Sequence, residues 1–198
     1  MGKVSTGFSM SLDGFVAGPN DSVEHVFAWM SQGNVVYTAR TGKRELEMQI
    51  SKQSIELLEA AKNSIGVLIA GRRLFEMTGG WGGRHPLNVP MLVVSHRPAP
   101  EWVGEDWPMT FVSDGLESAI AQGQAIAGEK KVVVASTTLV QQCLNAGLLD
   151  EIHIDLVPVL LGSGVRLFDH LKVAPIELGS PSIVEGIGVT HLTYQVKK

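Results

Sequence analysis

Two short apolar runs, each ending in arginine, constrain this chain more than any other feature of it. The first is Val67-Leu68-Ile69-Ala70, followed by Gly71-Arg72-Arg73; the second is Met91-Leu92-Val93-Val94, followed by Ser95-His96-Arg97-Pro98. Four consecutive apolar residues bounded by turn formers leave no polar face. Each run therefore reads as a strand buried on both sides, as in parallel sheets covered by helices. Residues 131–135 form a third run of the same kind. Between the runs lie helical patterns. Residues 54–62 carry Ile55, Leu58 and Ala61 on one stripe. Asp114 and Glu117 have the spacing of a capping box that opens a helix towards Ala127. Ser136 is expected to cap a helix with Leu139, Cys143 and Leu144 inward, closed by Gly147. Residues 72–78 are expected to form a short helix leading into the glycine-rich loop 79–83.

The ends of the chain read differently. Val4, Thr6, Phe8, Met10 and Leu12 alternate with Lys3, Ser5, Gly7, Ser9 and Ser11, a strand with one face of small residues that lets something approach closely. Asp13-Gly14 then turns the chain. Residues 20–50 show no steady period and are expected to be loop plus a short helix. Residues 152–161 read as a strand with Glu151, His153 and Asp155 on one face, a pattern expected of a solvated or dimer-facing surface. Residues 176–184 and 189–196 read as an antiparallel hairpin around Glu185-Gly186-Ile187-Gly188. The expected architecture is one α/β domain over residues 1–198, parallel inside and antiparallel at its carboxyl edge.

Composition removes several classes of function. A net charge of −4 without a basic stripe argues against nucleic acid. The single Cys143 permits neither a disulfide framework nor a cysteine metal site, and the six histidines lack ligand spacing, so no metal is expected. No apolar run is long enough for a membrane span, and no signal pattern opens the sequence; a cytoplasmic protein is expected. No Ser-His-Asp set or Cys-His pair is recognisable.

In open α/β sheets ligands bind beyond the carboxyl ends of the strands. Gly71-Arg72-Arg73 offers amides at a helix start and two cations; Ser95-His96-Arg97 offers a hydroxyl, an imidazole and a guanidinium. Ala135-Ser136-Thr137-Thr138 sets hydroxyls at a helix amino terminus, where the macrodipole favours an anion. Together these suit a nucleotide phosphate. Each also has a plain structural reading, as a surface pair, a polar loop and an N-cap. Trp81 either stacks on a flat heterocycle or anchors its loop. Gly162 and Gly164 flank either an amide nest for an anion or a tight turn. Asp13 is a candidate proton donor, or merely the first residue of its turn.

These residues together resemble the dihydrofolate reductase-like superfamily, in particular the branch containing the reductase domain of bacterial riboflavin biosynthesis. The resemblance runs from Ser9-Met10-Ser11-Leu12-Asp13-Gly14-Phe15-Val16-Ala17, through Gly71-Arg72-Arg73-Leu74-Phe75-Glu76 and Val93-Val94-Ser95-His96-Arg97-Pro98, to the terminal hairpin. Its most specific stretch spans 146–168, including Pro158-Val159-Leu160-Leu161-Gly162-Ser163-Gly164-Val165-Arg166-Leu167-Phe168. It implies a three-layer fold with a mixed, mainly parallel sheet, NADPH as hydride donor, and activity like that of 5-amino-6-(5-phosphoribosylamino)uracil reductase on an aminopyrimidine or pterin-like small molecule. By the same resemblance Arg72, Arg73, Ser95, His96 and Arg97 surround the adenosine 2′-phosphate. The helix start at Ser136 holds the pyrophosphate, and the early loop, with Val16 and Ala17, borders the nicotinamide. Replacing Arg72 and Arg97 by alanine is then expected to weaken NADPH far more than NADH. One departure matters: the family carries Gly-Gly before the pyrophosphate helix, preceded in the riboflavin reductase by a substrate-contacting glutamate, where this chain has Val134-Ala135-Ser136. The alternative is therefore a non-catalytic or divergent small-ligand-binding module on the same fold. A homodimer is expected if the strand near Ile152 and the tail present a sheet surface.

Overall fold

The computed structural model describes residues 2–198. In chain order the strands are β1 (Val4–Ser11), β2 (Phe15–Ala17), β3 (Val35–Thr41), β4 (Arg44–Ile50), β5 (Ile65–Gly71), β6 (Met91–Val94), β7 (Met109–Val112), β8 (Lys131–Val134), β9 (Glu151–Val157), β10 (Val165–Arg166), β11 (Ser182–Glu185) and β12 (Thr190–Gln195). The α-helices are α1 (Lys52–Ser64), α2 (Arg72–Met77), α3 (Leu116–Ala127) and α4 (Thr137–Asn145). Eight strands make one sheet in the order β11-β12-β9-β1-β8-β5-β6-β7. From β9 to β7 all neighbours are parallel, while β12 and β11 run antiparallel.

The apolar runs fill this sheet because their side chains leave both faces at once. Val67 and Ile69 of β5 join α3 and α4 in one core, with Val132, Val134, Ile152 and Ile154. Leu68 and Ala70 of the same strand face the opposite way, against Phe75 of α2, Met91 and Val93. A second patch on that opposite face gathers Trp29, Met48, Ile50, Val157 and Val189, with Ile55 and Leu58 of α1 packed against it. The layers are thus α3 and α4, the sheet, and α1 with α2. Between the two patches, at the middle of β1, Gly7 is exposed. Ser5, Ser9 and Ser11 on the same face of β1 are buried, so the cleft is the opening over this face of the sheet at Gly7.

Local signals explain most boundaries. Ser51 caps α1, its hydroxyl accepting the Ser54 amide at 3.1 Å. Gly147, at φ 65°, closes α4: its amide reaches Leu144 O at 3.2 Å, and the Leu148 amide reaches Cys143 O at 2.9 Å. The expected capping box before α3 does not form. Gly115 occupies the cap, and the Asp114 carboxylate accepts the Ser113 hydroxyl at 3.1 Å instead.

Residues 20–50 require the largest correction. They contain two short 3₁₀ turns, Pro19–Asp21 and Ala28–Ser31, and then the β3–β4 hairpin outside the main sheet. Most of its residues are exposed, so burial imposes little pattern on β3. The usable signal was in β4, where Leu46, Met48 and Ile50 alternate with Glu45, Glu47 and Gln49. The strand expected over 152–161 stops at Val157. It is interior, bounded by β1 and β12; the exposed edge on that side belongs to β11.

Candidate functional site

The order β8-β5-β6 sets the carboxyl ends of three parallel strands side by side. Gly71 at the end of β5 lies close to the turn beyond β8: a Cβ there would be 2.8 Å from Ser136 Oγ. The arginines divide into two kinds. Arg72 has only 14% of its side chain exposed, and its guanidinium ties neighbouring loops together. Its Nε donates to Glu76 at 2.7 Å; its Nη1 donates to Pro98 O at 2.7 Å and Ser95 Oγ at 3.3 Å. Arg73 and Arg97 are 75% and 67% exposed, and each has one carboxylate partner, Asp21 at 2.5 Å and Glu76 at 3.4 Å. Surface pairs of this kind are worth little and exchange readily for another anion. The hydrogen bond from Arg72, with the charges of Arg72 and Arg97, keeps the Glu76 carboxyl below its ordinary range.

Ser95 is buried and committed to its own loop, donating to Arg97 O at 3.0 Å and accepting the Arg97 amide at 3.1 Å. His96 is exposed beside it. At the third strand end Ser136 occupies the N-cap position of α4, but its hydroxyl lies 3.2 Å from Thr138 Oγ1 and caps no amide. The first amides of α4 thus lack the side-chain acceptor that Ser51 supplies to α1. Ala135, Ser136 and Thr137 are half-buried, and Thr138 is exposed.

The early loop meets the 162–164 turn. Val16 and Ala17 are buried, Ala17 pairs with Val165, and a Cβ on Gly164 would lie 2.0 Å from Ala17 O. Gly164, at φ 137°, is therefore a packing glycine. The Asp13 carboxylate accepts the Ser11 hydroxyl at 2.6 Å, the Gly162 amide at 2.7 Å and the Leu161 amide at 3.1 Å. The chain's own carboxylate fills the nest expected for a ligand anion. Chiefly through the Ser11 bond, and then through the two amides, the Asp13 carboxyl is held at about 2. In this structure Asp13 is a latch between turns, in keeping with its structural reading as the first residue of the Asp-Gly turn.

This latch has a signature in acid. A carboxyl depressed from 3.8 to about 2 on folding contributes stability that is present above the unfolded value and is lost as pH falls through about 2. Asp13→Asn is expected to lower the melting temperature at neutral pH, with the gap from wild type closing between pH 4 and 2. A gap that is constant over that range would show that the Asp13 carboxylate is not the latch.

Trp81 packs with the Phe75 patch, its ring edge-on to His85 at 4.7 Å, and its carbonyl accepts the Thr41 hydroxyl at 3.4 Å. These contacts make it an anchor for its loop. Burial pushes the His85 imidazole down to about 4, so it stays neutral at physiological pH.

The most polar part of the cleft wall was missed. Far from being a solvated surface, the inner face of β9 meets β12, where His191 lies opposite Asp155 and Thr193 opposite His153. Asp155 Oδ1 accepts His191 Nδ1 at 2.6 Å and His153 Nε2 at 2.9 Å. Thr193 Oγ1 lies 2.9 Å from His153 Nδ1, and Ser54 Oγ lies 2.8 Å from His191 Nε2. Burial pushes the Asp155 carboxyl up, but the bonds from both histidines outweigh it and hold it at about 2. Glu151, also buried, is paired with Lys131 and accepts Gln195 at 2.9 Å. Polar alternation in both strands was a usable signal, but the partners are separated by 36 and 40 residues.

The layered sheet, its antiparallel carboxyl edge and the cleft over β1 define a protein of dihydrofolate reductase-like fold, the reductase-type architecture. The chain belongs to the RibD C-terminal domain family, which it matches over residues 3–197. A protein from Shewanella sp. PV-4 assigned to riboflavin biosynthesis is similar in structure, with a TM-score of 0.73 and 22% identity over 99% of both chains. RibD from Acinetobacter baumannii gives a TM-score of 0.66 and 14% identity; the match covers all of this chain and 58% of that one. Dihydrofolate reductase from Enterococcus faecalis, solved with NADP(H) and RAB-propyl, gives 0.55 and 13% identity over 99% of this chain and 97% of that one. No curated protein sequence matches. Among the described residues no helix is long and apolar enough to cross a membrane.

Proposed function

We propose that the protein is an NADPH-dependent reductase of the riboflavin-reductase type, acting on an aminopyrimidine or pterin-like small molecule in the cleft above Gly7. The observation that carries this reading is the pair of exposed, weakly held guanidinium groups, Arg73 and Arg97, at adjacent strand ends. Both lie to one side, beyond β5 and β6, of the α4 amino terminus that follows β8, whose amides no side chain caps. Two exposed cations suit the 2′-phosphate that distinguishes NADPH from NADH, and free helix amides suit a pyrophosphate. Binding of NADP(H) by the dihydrofolate reductase of the same fold supports the cofactor. The hydride chemistry belongs to the nicotinamide; the chain's task is to orient it against the substrate.

Titration of the purified protein with NADPH and NADH at fixed salt, followed by nucleotide fluorescence, tests this. NADPH is expected to bind more tightly than NADH. Arg97→Ala is expected to weaken NADPH about 10–100-fold, the loss of one charge-assisted contact, and to leave NADH nearly unchanged. Equal losses for the two nucleotides would remove the 2′-phosphate assignment. Binding of neither would favour the divergent small-ligand module, with Ala135 and Ser136 crowding the approach that paired glycines permit.

A further inference from the structure

We propose that His153, His191 and Asp155 form a binding site for one divalent transition-metal ion of the zinc class, with His153 Nε2, His191 Nδ1 and an Asp155 carboxylate oxygen as its protein ligands. The inference is independent of the nucleotide reading. It begins with convergence: the three donor atoms, drawn from β9 and β12, lie within 4.8 Å of one another. Two imidazoles and one carboxylate are a donor set that suits zinc, cobalt or iron rather than calcium or magnesium.

Charge is the second argument. Among the described residues the ion-pair partners of Asp155 are His153 and His191 alone; no lysine or arginine reaches it. The Asp155 carboxylate is held by hydrogen bonds alone, from the two imidazoles and, at 3.4 Å, from the Ser9 hydroxyl, so no fixed cation competes with an ion for it.

The ring nitrogens that point away from the centre are also held. Metal-bound histidines nearly always have the other ring nitrogen held by a hydrogen-bond partner. Here His153 Nδ1 meets Thr193 Oγ1 at 2.9 Å and His191 Nε2 meets Ser54 Oγ at 2.8 Å, while Ser54 is itself 2.9 Å from Ser51 Oγ. A hydroxyl can donate or accept. In the ion-free protein it donates to a ring whose inner nitrogen carries the proton. With an ion bound it accepts from the tautomer whose inner nitrogen is free, so both rings keep their orientation in either state.

Access and room are also present. His153 is 27% exposed, and a Cβ on the open Gly7 would lie 3.7 Å from its ring, so the cluster borders the cleft. Three protein ligands at an accessible site leave a position for water or a substrate atom, as in catalytic rather than structural sites. Bonds of about 2.0–2.1 Å in tetrahedral geometry need ligand separations of about 3.3 Å. The present contacts of 2.6 and 2.9 Å must therefore open by about 0.4–0.7 Å.

The test uses the whole chain, freed of metal with a chelator, and Co²⁺ as the probe. One equivalent is expected to bind with visible absorption of low coordination number, and Zn²⁺ is expected to displace it. In the wild-type protein the imidazole signals of His153 and His191 are expected to be perturbed by Co²⁺ far more than those of His25, His85, His96 and His170, a readout that needs no variant. His153→Gln is expected to abolish the absorption, and Thr193→Val, which keeps all three ligands, to weaken binding about 10–100-fold. Absence of saturable binding below millimolar Co²⁺ would make the cluster a hydrogen-bonded network only. Saturable binding that perturbs the other histidines, or that survives His153→Gln, would place the ion elsewhere and overturn the proposal.

Discussion

Trp29→Ala is expected to destabilise the protein by about 3–5 kcal/mol, the cost typical of emptying a large aromatic site. Trp29 is fully buried at the centre of the patch formed by Met48, Ile50, Val157 and Val189. Its indole Nε1 donates to Ser9 Oγ at 3.0 Å, and its ring meets His191 edge-on at 5.4 Å. The residue thus joins three things that are distant in sequence: the outlying hairpin through Met48 and Ile50, the small face of β1, and the His–Asp cluster. For a chain of this length the loss corresponds to roughly 6–20 °C in melting temperature. It is a large fraction of the about 5–15 kcal/mol that holds a domain together. Trp29→Phe keeps most of the volume but not the donor, and is expected to cost less. Hydrogen exchange should report faster opening of β3 and β4 in Trp29→Ala before the parallel strands are affected. A cost below about 1 kcal/mol in urea unfolding would mean that Trp29 is not the anchor of this patch.

Arg72→Ala is expected to behave unlike Arg97→Ala, although the two residues look equivalent in the sequence. The Arg72 guanidinium bonds Glu76, Ser95, Arg97 O and Pro98 O, and lies 5.7 Å over the Phe111 ring. Removing it frees residues 95–98, the loop that carries Arg97. The expected result is a stability loss of about 1.5–3 kcal/mol, the range for a bond to a charged group. Under the proposed function, affinity falls for NADPH and NADH together, because the loop is displaced rather than one phosphate contact deleted. Arg72→Lys is not expected to rescue, since a single ammonium cannot span the same set of acceptors. A loss confined to NADPH, with stability unchanged, would show instead that Arg72 is itself the phosphate ligand.

These cases show where sequence reasoning reached. The strands β5, β6 and β8 were legible because they are buried on both faces, which forbids polar residues and leaves an unbroken apolar run. The end of α4 was legible because a left-handed residue after a helix favours glycine, and Gly147 is there. That ligand groups gather beyond the carboxyl ends of these strands followed from the general rule for open α/β sheets, whereas their order β8-β5-β6 came from the fold. Such signals are local, or depend on one topological rule. The β3–β4 hairpin was not read because a mostly exposed strand pair has little burial to pattern it. What remained for the tertiary structure was the employment of each polar group.

Asp13, Gly162 and Gly164 show this most plainly. From composition the first is a candidate acid and the glycines a candidate nest; in the fold the carboxylate occupies the amides, and the candidates cancel one another. Arg72 and Ser95 are likewise spent on their own loop, whereas Arg73 and Arg97 stay open to solvent. The His153–Asp155–His191 cluster exists only because β12 pairs with β9 in a register that sets His191 opposite Asp155. Residue type and local spacing determined the buried strands and the position of their ends, while the family and the layered fold were legible only as a resemblance carried by whole motifs. Which side chains remain free to bind anything was decided by contacts between residues far apart in the chain, since a hydrogen-bond donor or acceptor is available to a ligand only where the fold has not already satisfied it.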